Sequence, residues 1–187
     1  FESRTIGGLT REIEALRRDR RGVVLPPIVP APRADQAPLS FAQKRLWFLH
    51  KIDPNLTAYN MPAAYRVRGP LRIALFKRAL EEVIGRHESL RSAIDEVAGE
   101  PFQRIMSAAH LNVPVIDLRT LAAEEMERQV GRYAEEDAEE PYDLAAAPLM
   151  RAKILRLGDE EHVVLLNFHH IVCDGSSLAV FYRELAT

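Results

Sequence analysis

The run HVVLLNF, residues 162–168, is apolar on both sides of the pleat. Successive side chains of a strand point to opposite faces, so a run like this needs apolar cover above and below. It reads as a strand buried within a sheet. The segments around it fill in the rest of a mixed α/β domain. LRIALFKRALEEVIGRH carries a helical stripe in Leu71, Leu75, Ala79, Leu80 and Val83, and LAAEEMERQVGRYAEEDAE reads as a charged helix. LRSAIDEVAGEPFQRIM suggests a hairpin turning near Gly99, and PLMRAKILRLGDEEHVVLLNFHHI two strands joined at Gly158-Asp159. YNMPAAYRVRG and VPVIDLRT read as further strands, Ser40 as the cap of a helix through FAQKRLWFLHKI, and SLAVFYREL as a last helix.

Ahead of this domain the composition changes. Residues 1–20 read as one amphipathic helix, with Ile6, Leu9, Ile13 and Leu16 at three- and four-residue spacing. Residues 22–38 hold five of the twelve prolines and show no helical period. Proline lacks an amide donor and fixes its own φ, so this stretch is expected to be an extended, stiff linker. The expected organisation is a helix at 1–20, a linker at 21–37 and a domain at 38–187.

Charge and cysteine content exclude several partners. A formal net charge of −2 gives no electrostatic case for nucleic acid or an anionic membrane. No segment approaches the roughly 18 apolar residues of a membrane span, and the first residues lack a signal-peptide pattern. The one cysteine, Cys173, allows no internal disulfide and points to the reducing cytoplasm.

The chemistry sits where the buried strand ends, in NFHHIVCDGSS, residues 167–177. Neighbouring strand residues face apart, so His169 and His170 cannot converge on one metal ion with Cys173 and Asp174. No metal is therefore expected. A working imidazole fits the position, because histidine titrates near neutrality and can take a proton from a nucleophile. Gly175 allows a sharp turn or a close approach to substrate. The plain alternative is a pair of hydrogen-bonded strand-end histidines beside an aspartate that caps the last helix.

HHIVCDG matches the HHxxxDG signature of the condensation domains of nonribosomal peptide synthetases, and three further motifs carry the same resemblance. LSFAQKRLWFLHKIDP (39–54) is similar to the family's SxAQxRLWxL motif. RHESLRSAI (86–94) resembles RHExLRTxF, with Ser92 and Ile94 departing from it, and PYDLAAAPLMRAKI (141–154) resembles PFDLxxxPLxR. The resemblance covers about residues 38–187. The first 20 residues resemble the end of a carrier-protein domain, although the carrier's phosphopantetheine-bearing serine motif is not in this chain.

The resemblance implies an α/β fold, a mixed-sheet sandwich with helices forming one chloramphenicol acetyltransferase-like lobe. It implies that the chain holds the N-terminal lobe of a two-lobed domain, so that a C-terminal lobe is a partner and the fragment alone is inactive. The implied reaction is amide formation between a donor aminoacyl or peptidyl thioester and the amine of an acceptor thioester, both L-configured. Upstream and downstream carrier proteins deliver these on phosphopantetheine arms, and no cofactor binds this chain directly. His170 takes the catalytic position, as proton acceptor or amine-positioning group, and His169 supports it. Asp174 pairs with an arginine, either Arg86 or Arg91, and holds the turn. The Gly175 amide faces the developing oxyanion, and Ser176 lines the donor side. Rival readings are an HxxxD acyltransferase using coenzyme A thioesters and a non-catalytic lobe that docks carriers.

Overall fold

The computed structural model describes residues 5–19, 27, 29 and 35–186. The chain divides into two units, Phe1–Arg33 and Ala34–Thr187. The first contains helix α1, Ile6–Asp19, with Ile6, Leu9, Ile13 and Leu16 exposed along it. Most of the expected linker lies outside the described residues. Its end differs from expectation: Gln36–Pro38 forms a strand, β1, that belongs to the second unit.

The second unit is built on two sheets. A four-stranded mixed sheet has the order β2-β7-β6-β5, formed by Asn60–Arg68, Glu161–His169, Met150–Arg156 and Val115–Asp117. Among the described strands only β5 and β6 run parallel, connected through helix α4, Ala123–Glu139. A three-stranded antiparallel sheet has the order β1-β4-β3, with β3 at Ser92–Val97 and β4 at Glu100–Ile105. Ala98 and Gly99 join β3 to β4 with φ of 52° and 86°. Two successive positive φ values are the mark of a type I′ hairpin turn, in which glycine carries no Cβ penalty.

The strand HVVLLNF is the reason the unit has layers. Val163 and Leu165 pack with Leu118, Leu155 and Leu157 under the Met126, Val130 and Tyr133 stripe of α4. The alternate residues Val164, Leu166 and Phe168 enter a larger core on the other face. There they join Leu80, Val83 and Ile84 of helix α3, Ile73–Arg86, and Phe181 of helix α5, Gly175–Leu185. Each such side chain withdrawn from water contributes about 1.5–3 kcal/mol, and β7 has them on both faces. β7 is thereby the most firmly fixed strand, and its C-terminal end is where the two histidines emerge.

Helix α2, Phe41–Ile52, begins at a reciprocal cap. The Gln43 amide donates to Ser40 Oγ at 3.2 Å, and the Ser40 amide donates to Gln43 Oε1 at 3.0 Å. Both satisfy amides that a helix start leaves without partners.

Candidate active site at the end of the central strand

The pleat separates the two histidines. His169, the last residue of β7, is 3% exposed; its amide donates to the Leu149 carbonyl and its Nδ1 accepts from the Ile171 amide at 3.1 Å. Because an amide can only donate, Nδ1 carries no proton and the neutral ring is protonated at Nε2. Burial, reinforced by the positive charge of His50, His170 and Arg151, lowers its pKa to about 4. His169 is therefore neutral at pH 7. The Tyr142 ring meets it edge-on at 5.6 Å, and the Tyr142 hydroxyl donates to the Asn167 carbonyl at 2.8 Å.

His170 leaves the strand as the first residue of a turn and is exposed. Its amide donates to the Tyr59 carbonyl at 2.9 Å. Its Nδ1 stands 2.8 Å from the Cys173 carbonyl. A carbonyl only accepts, so here Nδ1 bears the hydrogen and the neutral ring presents the lone pair of Nε2 outward. The adjacent rings thus take opposite tautomers, each set by one backbone group. Cys173, whose carbonyl holds His170, is itself buried; burial and the neighbouring Asp174 charge push its thiol up to about 11, so it packs as a neutral side chain.

Asp174 does not find the arginine expected for it. Its carboxylate is exposed and caps α5, accepting from the Ser177 amide at 2.8 Å, Ser177 Oγ at 2.7 Å and Ser176 Oγ at 2.8 Å. Those bonds, Ser177 first, hold it well below the usual carboxylate range. Arg86 instead pairs with Glu184 at 3.2 Å, which His87 also contacts at 2.9 Å. Arg91 donates to the Gly85 and Met106 carbonyls and faces Glu88. An arginine partner is needed by a buried carboxylate. An exposed one, already bonded by its own turn, leaves no desolvation for an arginine to offset.

Gly175 is the first residue of α5, and a Cβ there would meet nothing within 4 Å. Its φ lies outside the left-handed region. Neither the turn nor the packing of this chain requires glycine, which removes the sharp turn from the two expected reasons for Gly175. Ser176 supports the Asp174 cap.

The residues beneath His169 are not anticipated by the sequence reading. Asp137 on α4 is 2% exposed and lies 2.9 Å from Lys153 Nζ. Its backbone carbonyl accepts from Asn167 Nδ2 at 2.6 Å and from Arg151 Nη2 at 2.9 Å. The Arg151 guanidinium covers the Tyr142 ring at 3.9 Å. Tyr142 and Arg151 lie in the PYDLAAAPLMRAKI stretch, which offers the one available signal.

The low pKa of His169 has a consequence for stability. Between about pH 6.5 and 4 the unfolded chain binds a proton that the folded chain refuses, so stability falls as pH drops through that window. The full shift corresponds to roughly 3 kcal/mol. His162, lowered chiefly by burial, adds to the same slope. Urea midpoints at pH 7 and pH 4.5 are expected to differ less for His169→Asn, which keeps an acceptor but no titration, than for the natural chain.

Comparison with known proteins identifies the family. A family profile described as Condensation domain matches residues 33–187. A linear gramicidin synthase of Brevibacillus parabrevis is 43% identical over 187 residues, all of this chain and 2% of that protein. Surfactin synthase subunit 2 of Bacillus subtilis (strain 168) is 37% identical over 186 residues, which cover 5% of it. The chain thus spans a small part of these relatives' length. Among solved structures, the first condensation domain of the calcium-dependent antibiotic synthetase, in complex with a substrate analogue, superposes with a TM-score of 0.72 at 29% identity. That match covers 81% of this chain and 36% of the other. The starter condensation domain of rhizomide synthetase gives 0.73 at 25% identity, over 81% and 38% of the two chains. The chain belongs to the condensation-domain family of nonribosomal peptide synthetases.

Proposed function

We propose that the chain carries the proton-accepting half of an amide-forming site. The observation that supports this best is the His170 tautomer. With Nδ1–H given to the Cys173 carbonyl, Nε2 faces outward as a base, and the same carbonyl lies two residues before the start of α5. The substrates are thioesters on the phosphopantetheine arms of upstream and downstream carrier proteins. The acceptor's amine attacks the donor's thioester carbonyl, His170 Nε2 takes the amine proton, the C–N bond forms and the C–S bond breaks. The proton then passes to the departing thiolate. The Ser177 amide is taken by the Asp174 cap, and the Gly175 amide, at the very start of α5, suits the oxygen that becomes negative in between. Asp174 holds this turn by capping α5 and does not touch substrate. Both substrates are L-configured in this reading, and the reaction takes place in the cytoplasm. None of the described helices is long and apolar enough to cross a membrane.

Residues 1–20 are read as the end of an upstream carrier domain and the following stretch as its linker. The separate unit Phe1–Arg33 and the match of the gramicidin synthase over all 187 residues, beyond the 33–187 of the family profile, support this organisation.

The test supplies the complete synthetase domain with a loaded donor carrier and a loaded aminoacyl acceptor carrier, and follows the acceptor's intact mass. The acceptor is expected to gain the donor's acyl mass. Gain from a coenzyme A thioester but not from the carrier thioester moves the chain to the other acyltransferase class. No gain from either favours a docking role. Gly175→Ala sharpens the assignment, since a Cβ there meets no protein atom. Its melting midpoint should hold or rise slightly, while turnover falls by on the order of tenfold if substrate approaches that backbone.

A further inference from the structure

We infer that Gln43 is a positioning residue for His170, which rests on the proposed role of that imidazole. A carboxamide has one oxygen acceptor and two N–H donors, and Gln43 uses all three. Oε1 accepts from the Ser40 amide at 3.0 Å; Nε2 donates to the Ile171 carbonyl at 3.0 Å and to Gln103 Oε1 at 3.2 Å. Gln103 donates in turn to the Pro38 carbonyl at 3.2 Å. Ile171 directly follows His170 and is 3% exposed. Its amide is held by His169 and its carbonyl by Gln43. The turn that closes His170 Nδ1 onto the Cys173 carbonyl is thereby tied to the start of α2 and, through Gln103, to the three-stranded sheet.

The choice of residue separates two roles. At the third position of a helix either glutamate or glutamine completes the reciprocal cap, because only the oxygen is used. The Ile171 carbonyl needs a donor, and ionised glutamate has none. A cap alone therefore does not require the amide nitrogen, whereas a tether to the turn does. Gln43→Glu keeps the first function and sets two oxygens against each other in the second. Ser40→Ala does the reverse, removing the hydroxyl of the cap while leaving the Gln43 donors in place.

The test reads the His170 tautomer by nitrogen-15 NMR of the histidine-labelled chain, with the signal assigned by its loss in a His170 variant. Melting midpoints are recorded alongside. The natural chain and Ser40→Ala are expected to show one Nδ1–H species, with Ser40→Ala less stable. Gln43→Glu should melt close to the natural chain and show a mixture of tautomers. In the complete synthetase its kcat should fall on the order of ten- to a hundredfold with KM for both carriers little changed, as expected for a reacting group displaced without loss of binding. An unchanged tautomer in Gln43→Glu, a variant that fails to fold, or tautomer mixing that follows stability in both variants each overturns the assignment. The NMR reading needs no substrate, so failure of the amide-forming reading leaves it decidable.

Discussion

Replacing His170 by alanine is expected to lower amide formation by about 10²- to 10⁴-fold while leaving the fold intact. The size follows from what a positioned general base contributes, and each tenfold corresponds to about 1.4 kcal/mol of transition-state stabilisation. The fold should survive because the ring is exposed and holds one bond to a backbone carbonyl, whereas its neighbour His169 is buried against Tyr142. The measurement is acceptor-carrier mass against time for the complete domain, with the melting midpoint of both proteins as the control. A variant as fast as the natural protein removes His170 from the chemistry. Equal loss of stability and rate would instead assign the effect to the turn.

What the sequence makes visible depends on whether the signal is periodic or local. β7 is legible because a run with five apolar residues shared between both faces has few places to go but a sheet centre, and the two cores on either side of it follow from that pattern. The β3–β4 turn is legible because Gly99 stands where positive φ is needed. β1 is not: three residues ending in proline have no period, and their pairing with β4 depends on a partner more than sixty positions away. At the site, the placing of both histidines follows from the strand's alternation. The Asp174 cap of α5 follows as well, as the plain alternative to an arginine pair; that no arginine reaches it does not, because sequence does not report burial. Ser176 and Ser177, directly beside it, satisfy a carboxylate that stays in solvent. Gln43 stands in the LSFAQKRLWFLHKIDP motif, yet its bond to Ile171 spans 128 positions and forms only when the helix start is folded beside the turn.

Asp137→Ala is the substitution expected to cost the fold most among the polar residues near the site. The charged helix AEEMERQVGRYAEEDAE invites a solvated reading, but Asp137 continues the stripe of Met126, Val130, Tyr133 and Ala134 that faces the sheet. Removing its carboxylate leaves Lys153 of β6, whose side chain is 21% exposed, without its 2.9 Å partner on α4. Breaking a buried pair from one side costs about 3–5 kcal/mol. The lower end applies here because Glu140 lies 3.6 Å from the same ammonium and remains as a second partner. About 3 kcal/mol lowers the melting midpoint of a chain this size by roughly 6–12 °C. Pairing Asp137→Leu with Lys153→Met should return much of that loss, since an apolar pair of similar volume needs no desolvated charge. The backbone carbonyl of residue 137, which receives Asn167 and Arg151, is unchanged in either variant. The His169 environment should therefore persist in the double variant, with turnover near that of the natural protein. If the losses of Asp137→Leu alone and Lys153→Met alone simply add in the double variant, the ion pair contributes nothing as a pair.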